Sequence, residues 1–319
     1  MQKRALGDSG LQVAPLCFGG NVFGWTIDAA QSFPLLDAFV DRGFNFVDTA
    51  DVYSTWGGPD NKGGESETII GAWFKQSGKR AKVVLATKVG HEMTPEKRGL
   101  SAAHILQSVD ESLQRLQTDY IDLYQSHKDD LTIAPDETLR AYQKLIEQGK
   151  VRAIGASNFT AERLALSLQT AKDADLPRYC SLQPEYNLYD RAGFEAELMP
   201  LCLKENIGVI SFYSLARGFL SGKYRSEADL GKSVRGARVG EVYFNPRGFR
   251  ILDALDAVAA TRNSNPARVA LAWLMQRPAI TAPIASATTL EQLEDLMAAA
   301  ELTLSAEDVT VLDGASNDA

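Results

Sequence analysis

The sequence predicts one (β/α)8 barrel, and three observations carry that prediction. Short apolar runs recur eight times, with amphipathic stretches between them. The runs are continuous rather than alternating, as suits parallel strands buried on both faces. The 319 residues exceed a typical domain but match an α/β barrel with additions. No low-complexity linker or composition break divides them, so residues 1–319 read as a single domain. A doubly wound sheet would bring fewer strands and a phosphate fingerprint, and no G-x-G-x-x-G follows any run.

In chain order, a hairpin around Gly7–Gly10 is expected to close the barrel bottom. The eight strands are expected at Leu16–Phe18, Phe44–Val47, Val83–Thr87, Ile121–Gln125, Ala153–Ala156, Cys180–Gln183, Val209–Phe212 and Ala282–Ala285. Asp41-Arg42-Gly43, Gln148-Gly149-Lys150 and Asn206-Ile207-Gly208 each lead from a helical pattern into a strand. Glycine past a helix can take the left-handed conformation that closes the last turn, and a cation there suits the helix dipole. Within Leu100–Leu116, Leu106, Val109, Leu113 and Leu116 recur at steps of three and four, the spacing of one helix face. Between the seventh and eighth strands lie roughly seventy residues, including a Gly- and Arg-rich stretch from Gly218 to Arg250, read as a long functional loop. Ser305-Ala306-Glu307-Asp308 reads as the capped start of an extra C-terminal helix.

Composition narrows the function. With 33 Lys and Arg against 41 Asp and Glu, the net charge of −8 argues against a nucleic-acid or anionic-membrane partner. Three scattered cysteines without C-x-x-C disfavour disulfides and thiolate zinc, and three histidines leave little for a metal site, so none is expected. No stretch approaches the ~20 apolar residues of a membrane span, and the polar N-terminal segment points to a cytoplasmic protein. Gly218–Tyr224 falls one spacer short of a P-loop and places Tyr where Ser or Thr must bind magnesium. G-x-S-x-G and H-E-x-x-H are absent.

In a barrel the chemistry sits where strands end at the C-terminal face. The second strand runs into Asp48, with Tyr53 five residues on; the third ends at Thr87-Lys88 and the fourth at Ser126-His127. A phenol has a pKa near 10, too high for easy proton exchange at neutral pH. The Lys88 ammonium would lower it, Asp48 would hold Lys88 charged, and His127 could hydrogen-bond a substrate oxygen. The group suits protonation of a carbonyl or deprotonation of an alcohol, and needs a cofactor to move the hydride.

These residues resemble the aldo-keto reductases. Phe46-Val47-Asp48-Thr49-Ala50-Asp51-Val52-Tyr53, Ala86-Thr87-Lys88 and Asp122-Leu123-Tyr124-Gln125-Ser126-His127 are similar to that family's Asp, Tyr, Lys and His segments. The likeness extends from Leu6–Leu11 to Glu291-Gln292-Leu293, and Gly63-Gly64-Glu65-Ser66-Glu67-Thr68 is similar to its bacterial branch. The resemblance implies a metal-free, NAD(P)-dependent oxidoreductase acting on an aldehyde, ketone, sugar or secondary alcohol. Tyr53 would be the general acid, Asp48 and Lys88 its tuning pair, and His127 the group directing the carbonyl.

The resemblance also implies a dinucleotide extended over the top face. Ser157, Asn158 and Gln183 match positions that bind the nicotinamide carboxamide. Phe212 matches a stacking position, though core packing would account for it equally. Tyr213, Ser214, Leu215, Ala216, Arg217, Gly218 and Lys223 match the pyrophosphate loop; Gly20, Asn21 and Asp48 fall among the cofactor positions too. Ser286, Thr288, Gln292 and Asp295 match the adenosine end, with Thr289 an N-cap whose capping box Gln292 could simply complete. Two departures stand out: Phe212-Tyr213-Ser214 replaces Tyr-Ser-Pro, and Thr288 stands where many relatives carry Arg. NADP(H) is favoured over NAD(H), with Arg235 or Arg238 as a source of the missing cation. A −8 chain must concentrate positive charge locally to hold a dinucleotide, and Lys223, Arg217, Arg235 and Arg238 are the candidates. Trp25, Trp56 and His91 fall on top-face loops, where they could line a substrate pocket or only pack the loops. No pattern marks an oligomeric state.

Two other readings stand beside this one: a nucleotide-binding regulator similar to the potassium-channel β subunits, and a Schiff-base aldolase with Lys88 as nucleophile.

Overall fold

The computed structural model describes residues 1–317. Strands β1 (Arg4–Ala5) and β2 (Gln12–Val13) pair antiparallel as the expected hairpin. Then come β3 (Cys17–Gly19), β4 (Phe46–Asp48), β5 (Val84–Val89), β6 (Ile121–Ser126), β7 (Val151–Ser157), β8 (Ser181–Gln183), β9 (Gly208–Val209) and β10 (Ile284–Ala285). These eight form one parallel sheet in the order β10-β3-β4-β5-β6-β7-β8-β9. Its two edges meet: Val209 N donates to Ala279 O (3.1 Å), Thr281 N to Val209 O (2.9 Å) and Ile284 N to Ser211 O (2.8 Å), closing the barrel.

The helices are α1 (Ala29–Asp41), α2 (Glu65–Ser77), α3 (Ala102–Leu116), α4 (Pro135–Glu147), α5 (Ala161–Asp173), α6 (Ala192–Glu195), α7 (Leu198–Lys204), α8 (Gly236–Tyr243), α9 (Pro246–Thr261), α10 (Pro266–Met275), α11 (Leu290–Ala298) and α12 (Ala306–Ser316). No helix among the described residues is long and apolar enough to cross a membrane. Helix α3 begins at Ser101, whose side chain accepts from His104 N, and buries Ile105, Val109, Ser112 and Leu116. The expected Leu106 and Leu113 flank that stripe, partly buried, so the face is turned by one position. Helix α12 starts at Ser305 as expected, in a reciprocal capping box with Asp308.

Two cores result. The larger lies between sheet and helices; a smaller one, with Leu6, Val13, Cys17, Phe46, Ala86, Leu123, Ala153, Cys180, Ile210 and Ala282, fills the barrel floor. The hairpin is the plug of that floor. Gly7, at φ 51°, lies so close to the Cys180 and Asn206 carbonyls that a Cβ would collide with them.

Three expectations need correction. Gly43 and Gly149 take the left-handed conformation (φ 86° and 72°), but in the third turn Asn206 takes it (φ 51°) and Gly208 opens β9. Gly208 is needed there for room, since a Cβ would meet Gly7 N at 2.8 Å. The seventh strand is shorter than Val209–Phe212, with Phe212 joined to Glu185 by an isolated bridge. The seventy-residue excursion is helical in large part: α8, α9 and α10 lie inside it, the last two starting on Asn-Pro pairs whose Asn245 and Asn265 side chains cap the first turn.

Candidate active site

Strand alternation decides which side chains enter the barrel. Phe46, Ala86, Leu123 and Ala153 point inward to the floor. Two residues on, Asp48, Lys88, Gln125 and Gly155 must point inward as well. The register sets Asp48 beside Ala86, Lys88 beside Gln125 and Gln125 beside Gly155. An apolar layer is thus capped by a polar one. Gly155 leaves that layer its space: a Cβ there would meet Gln125 Cγ at 3.1 Å.

The polar layer is almost fully paired. Lys88 Nζ donates to Asp48 Oδ2 (2.6 Å), Thr49 O (2.8 Å) and the Tyr53 hydroxyl (2.8 Å). The Tyr53 hydroxyl in turn donates to Asp48 Oδ2 (3.2 Å). Asp48 Oδ1 accepts from Gln183 Nε2 (2.9 Å) and Gln125 Nε2 (3.3 Å). Lys88 and Asp48 are 0% and 1% exposed, so removing either partner leaves a buried charge, at a cost of about 3–5 kcal/mol. Burial lowers the Lys88 pKa, but its Nζ is taken up by three acceptors, the arrangement of a positioning group and not of the amine nucleophile that the aldolase reading needs.

Burial and the Asp48 carboxylate raise the Tyr53 phenol well above its ordinary value. This corrects the expected lowering: Lys88 faces the phenol oxygen, but Asp48 accepts its proton and burial penalises the phenolate. Burial, with Lys88 and His91 nearby, drives His127 well below the usual imidazole value, so it stands neutral. Its ring centre lies 6.0 Å from that of Tyr53 and 5.3 Å from that of His91, and its buried Nδ1 has no partner. A neutral imidazole beside the phenol can donate to a carbonyl oxygen.

Behind Lys88 lies a second group that the sequence reading missed. Thr87 donates to Glu67 Oε1 (2.5 Å), and Arg115 Nε donates to Glu67 Oε2 (2.7 Å). Asp51, buried beside them with Oδ1 unpartnered, is pushed up to about 8 by burial first and Glu67 second.

Above the polar layer runs a groove of about 950 Å3. Its walls carry Tyr53, His127, Asp48, Asn21, Ser157, Asn158, Gln183, Phe212, Tyr213, Ser214, Leu215, Arg217, Gly218, Lys223, Ser286, Thr288, Gln292, Asp295, Trp25, Trp56, His91, Arg235 and Arg238. Gly20 and Ala216 do not reach it: Gly19 lines the groove instead of Gly20, and Ala216 is buried. Three residues lining the groove, Asn158 (φ 57°), Tyr213 (φ 50°) and Arg217 (φ 58°), take left-handed backbone. Arg217 Nε is buried without a partner, and Lys223 Nζ lies 3.3 Å from where a Gly218 Cβ would stand, so the loop after β9 presents cations over a glycine. Asn158 Nδ2 donates to His127 O (2.9 Å), leaving its side-chain oxygen as an acceptor toward the groove. At the far end Gln292 Oε1 accepts from Thr288 N (2.9 Å) and from the Thr288 hydroxyl (3.1 Å), while Gln292 N donates to the Thr289 cap (3.2 Å). Orphaned cationic and imidazole nitrogens beside free amide oxygens fit an anionic dinucleotide with a carboxamide head.

A closed parallel barrel whose strand ends bury an Asp–Lys–Tyr group under such a groove defines a class, the barrel oxidoreductases. The chain belongs to the aldo/keto reductase family, whose profile matches residues 15–317. It is 36% identical to an uncharacterized oxidoreductase of Bacillus subtilis (strain 168), over 98% of this chain and 95% of that one. It is 34% identical to an aldo-keto reductase of Alternaria alternata (98% and 91%) and 32% identical to a probable voltage-gated potassium channel subunit beta of Oryza sativa subsp. japonica (95% and 92%). The protein is an oxidoreductase of this family, which works with nicotinamide cofactors.

Proposed function

We propose that this protein reduces the carbonyl of an aldehyde or ketone, or oxidises the matching alcohol, with Tyr53 as the proton donor and acceptor. The observation that carries the reading is the Tyr53 hydroxyl held between Lys88 Nζ (2.8 Å) and Asp48 Oδ2 (3.2 Å) on the groove wall. A reduced nicotinamide in the groove would supply the hydride. Tyr53 stays protonated at neutral pH and gives its proton to the carbonyl oxygen as negative charge develops there. Lys88 steadies the resulting phenolate, and Asp48 keeps Lys88 in place. His127, neutral, donates to the same carbonyl oxygen and fixes its direction. Asn158, Ser157 and Gln183 orient the carboxamide, Phe212 packs against the ring, and Arg217 and Lys223 neutralise the pyrophosphate.

NADP(H) is favoured over NAD(H). The support is the family's habit and Arg238, which lines the groove and, among the described residues, is paired with the exposed Glu241. A fluorescence titration with NADPH and NADH, followed by a panel of carbonyls and alcohols, tests cofactor and direction together. Tighter NADPH binding and turnover of a carbonyl are expected; failure to bind either nucleotide overturns the reading.

The likeness to a potassium channel β subunit favours one alternative, a nucleotide-binding regulator with little turnover. Tight nucleotide retention with slow reduction across the whole panel would support it instead.

A further inference from the structure

Gly63-Gly64-Glu65-Ser66-Glu67-Thr68 turns the chain from the loop after Tyr53 into α2. Gly63 and Gly64 both take left-handed backbone (φ 93° and 85°). Neither has room for a side chain: a Cβ on Gly63 would stand 2.8 Å from Asp51 O, and one on Gly64 would stand 2.6 Å from Arg115 Nε. This tight entry brings two consecutive side chains, Ser66 and Glu67, against Thr49 and Thr87. Both are 0% exposed, and neither lines the groove.

Thr49 follows Asp48 and Thr87 precedes Lys88. Asp48 and Lys88 point into the barrel, so strand alternation turns both threonines outward, toward α2. The Ser66 hydroxyl donates to Gly20 O (2.7 Å), so in its bond with the Thr49 hydroxyl (2.8 Å) Thr49 is the donor. The Thr87 hydroxyl donates to Glu67 Oε1 (2.5 Å), and Glu67 Oε2 accepts from Arg115 Nε (2.7 Å). One turn of α2 therefore grips the residue beside Asp48 and the residue beside Lys88 from behind. On the groove side, Lys88 Nζ donates to Thr49 O (2.8 Å) and to the Tyr53 hydroxyl (2.8 Å). A lysine has a flexible four-carbon stem, so its ammonium is placed only as well as the backbone that carries it. Bonds to an ionised carboxylate are about twice as strong as neutral ones, which suits Glu67 as the fixed post.

We propose that Glu67 is a positioning residue for proton transfer. Through the Thr87 hydroxyl, with Ser66 fixing the same turn against Thr49, it holds the Lys88 backbone where Nζ reaches the Tyr53 hydroxyl. The proposal rests on the reading of Tyr53 as proton donor.

The test uses Thr87→Val, which keeps the shape and removes only the hydroxyl, Thr87→Ser, which keeps the hydroxyl, and Glu67→Gln. For reduction of 4-nitrobenzaldehyde, kcat is expected to fall about 10-fold in Thr87→Val and Glu67→Gln, with KM and the NADPH Kd within about twofold of wild type. Thr87→Ser should recover most of the rate. In a Tyr53→Phe background Thr87→Val should remove nothing more, because the phenol it serves is gone. An unchanged kcat in Thr87→Val, or a full further loss in the double variant, overturns the proposal. So do losses spread over kcat, KM and NADPH affinity that Thr87→Ser does not recover, which would make Glu67 a structural prop. Glu67→Gln gives the same readouts should Thr87→Val fail to fold. Fluorine NMR of protein labelled with 3-fluorotyrosine needs no turnover, and the Tyr53 resonance is the one missing from Tyr53→Phe. That resonance should move in Thr87→Val and return in Thr87→Ser; if it stays in place, the brace is refuted. The NMR result decides the brace even if Tyr53→Phe reduces at the wild-type rate and the Tyr53 reading is what has failed.

Discussion

Asp48 and Asp51 lie three residues apart and meet opposite electrostatics. Asp48 faces a lysine, two amides and a phenol. Asp51 faces Glu67, with Arg115 and Lys88 offsetting burial only in part, and its pKa is raised to about 8. In the unfolded chain an aspartate titrates near 3.9, so between about 4 and 8 the folded protein keeps a proton that the unfolded one releases. The stability tied to that proton is fully present below about pH 4 and is lost as pH rises through about 8. Asp51→Asn removes the titration. Denaturant melts of the two proteins should show the variant gaining on the wild type from pH 4 to pH 8, by up to about 5 kcal/mol; a difference independent of pH would contradict the shifted proton. The sequence made Asp48, Tyr53, Lys88 and His127 legible because each sits at or just past a strand end. Gln125 was within reach of the same period-2 argument and was overlooked. Asp51 with Glu67 and Arg115 was not legible, since their meeting depends on how α2 and α3 pack behind β5.

At the scale of elements, that packing turns on Gly71. A Cβ there would strike Arg115 O and stand 2.8 Å from Leu116 Cα, so α2 approaches the end of α3 at a distance that only glycine allows. Glu67, one turn earlier on α2, is the residue that reaches both Arg115 and Thr87. Gly71→Ala should push α2 outward and cost about 1–3 kcal/mol, although alanine is the better helix former. A thermal melt checks this; an unchanged or raised Tm would mean that α2 has room to spare. The strands were readable within one to three residues because buried parallel strands are continuous apolar runs. The excursion between β9 and β10 was not, because α8 is eight residues long and contains two glycines, which read as loop when met in sequence. Its helices form where Asn-Pro caps and packing on α12 reinforce a weak local pattern.

At the scale of the whole molecule, a chain of net charge −8 gathers unpaired cations along one groove and a buried, balanced ion pair beneath it. The barrel makes this possible: its floor is sealed by apolar side chains and the hairpin, so every inward polar residue is forced to the opposite rim. The central claim is that the Tyr53 hydroxyl, held between Lys88 and Asp48, is the proton donor. The direct measurement is carbonyl reduction by Tyr53→Phe, with NADPH affinity followed by fluorescence. The account predicts that kcat falls by at least about 100-fold while the NADPH Kd stays within about twofold, because phenylalanine keeps the ring and loses only the proton. Turnover at the wild-type rate would contradict it.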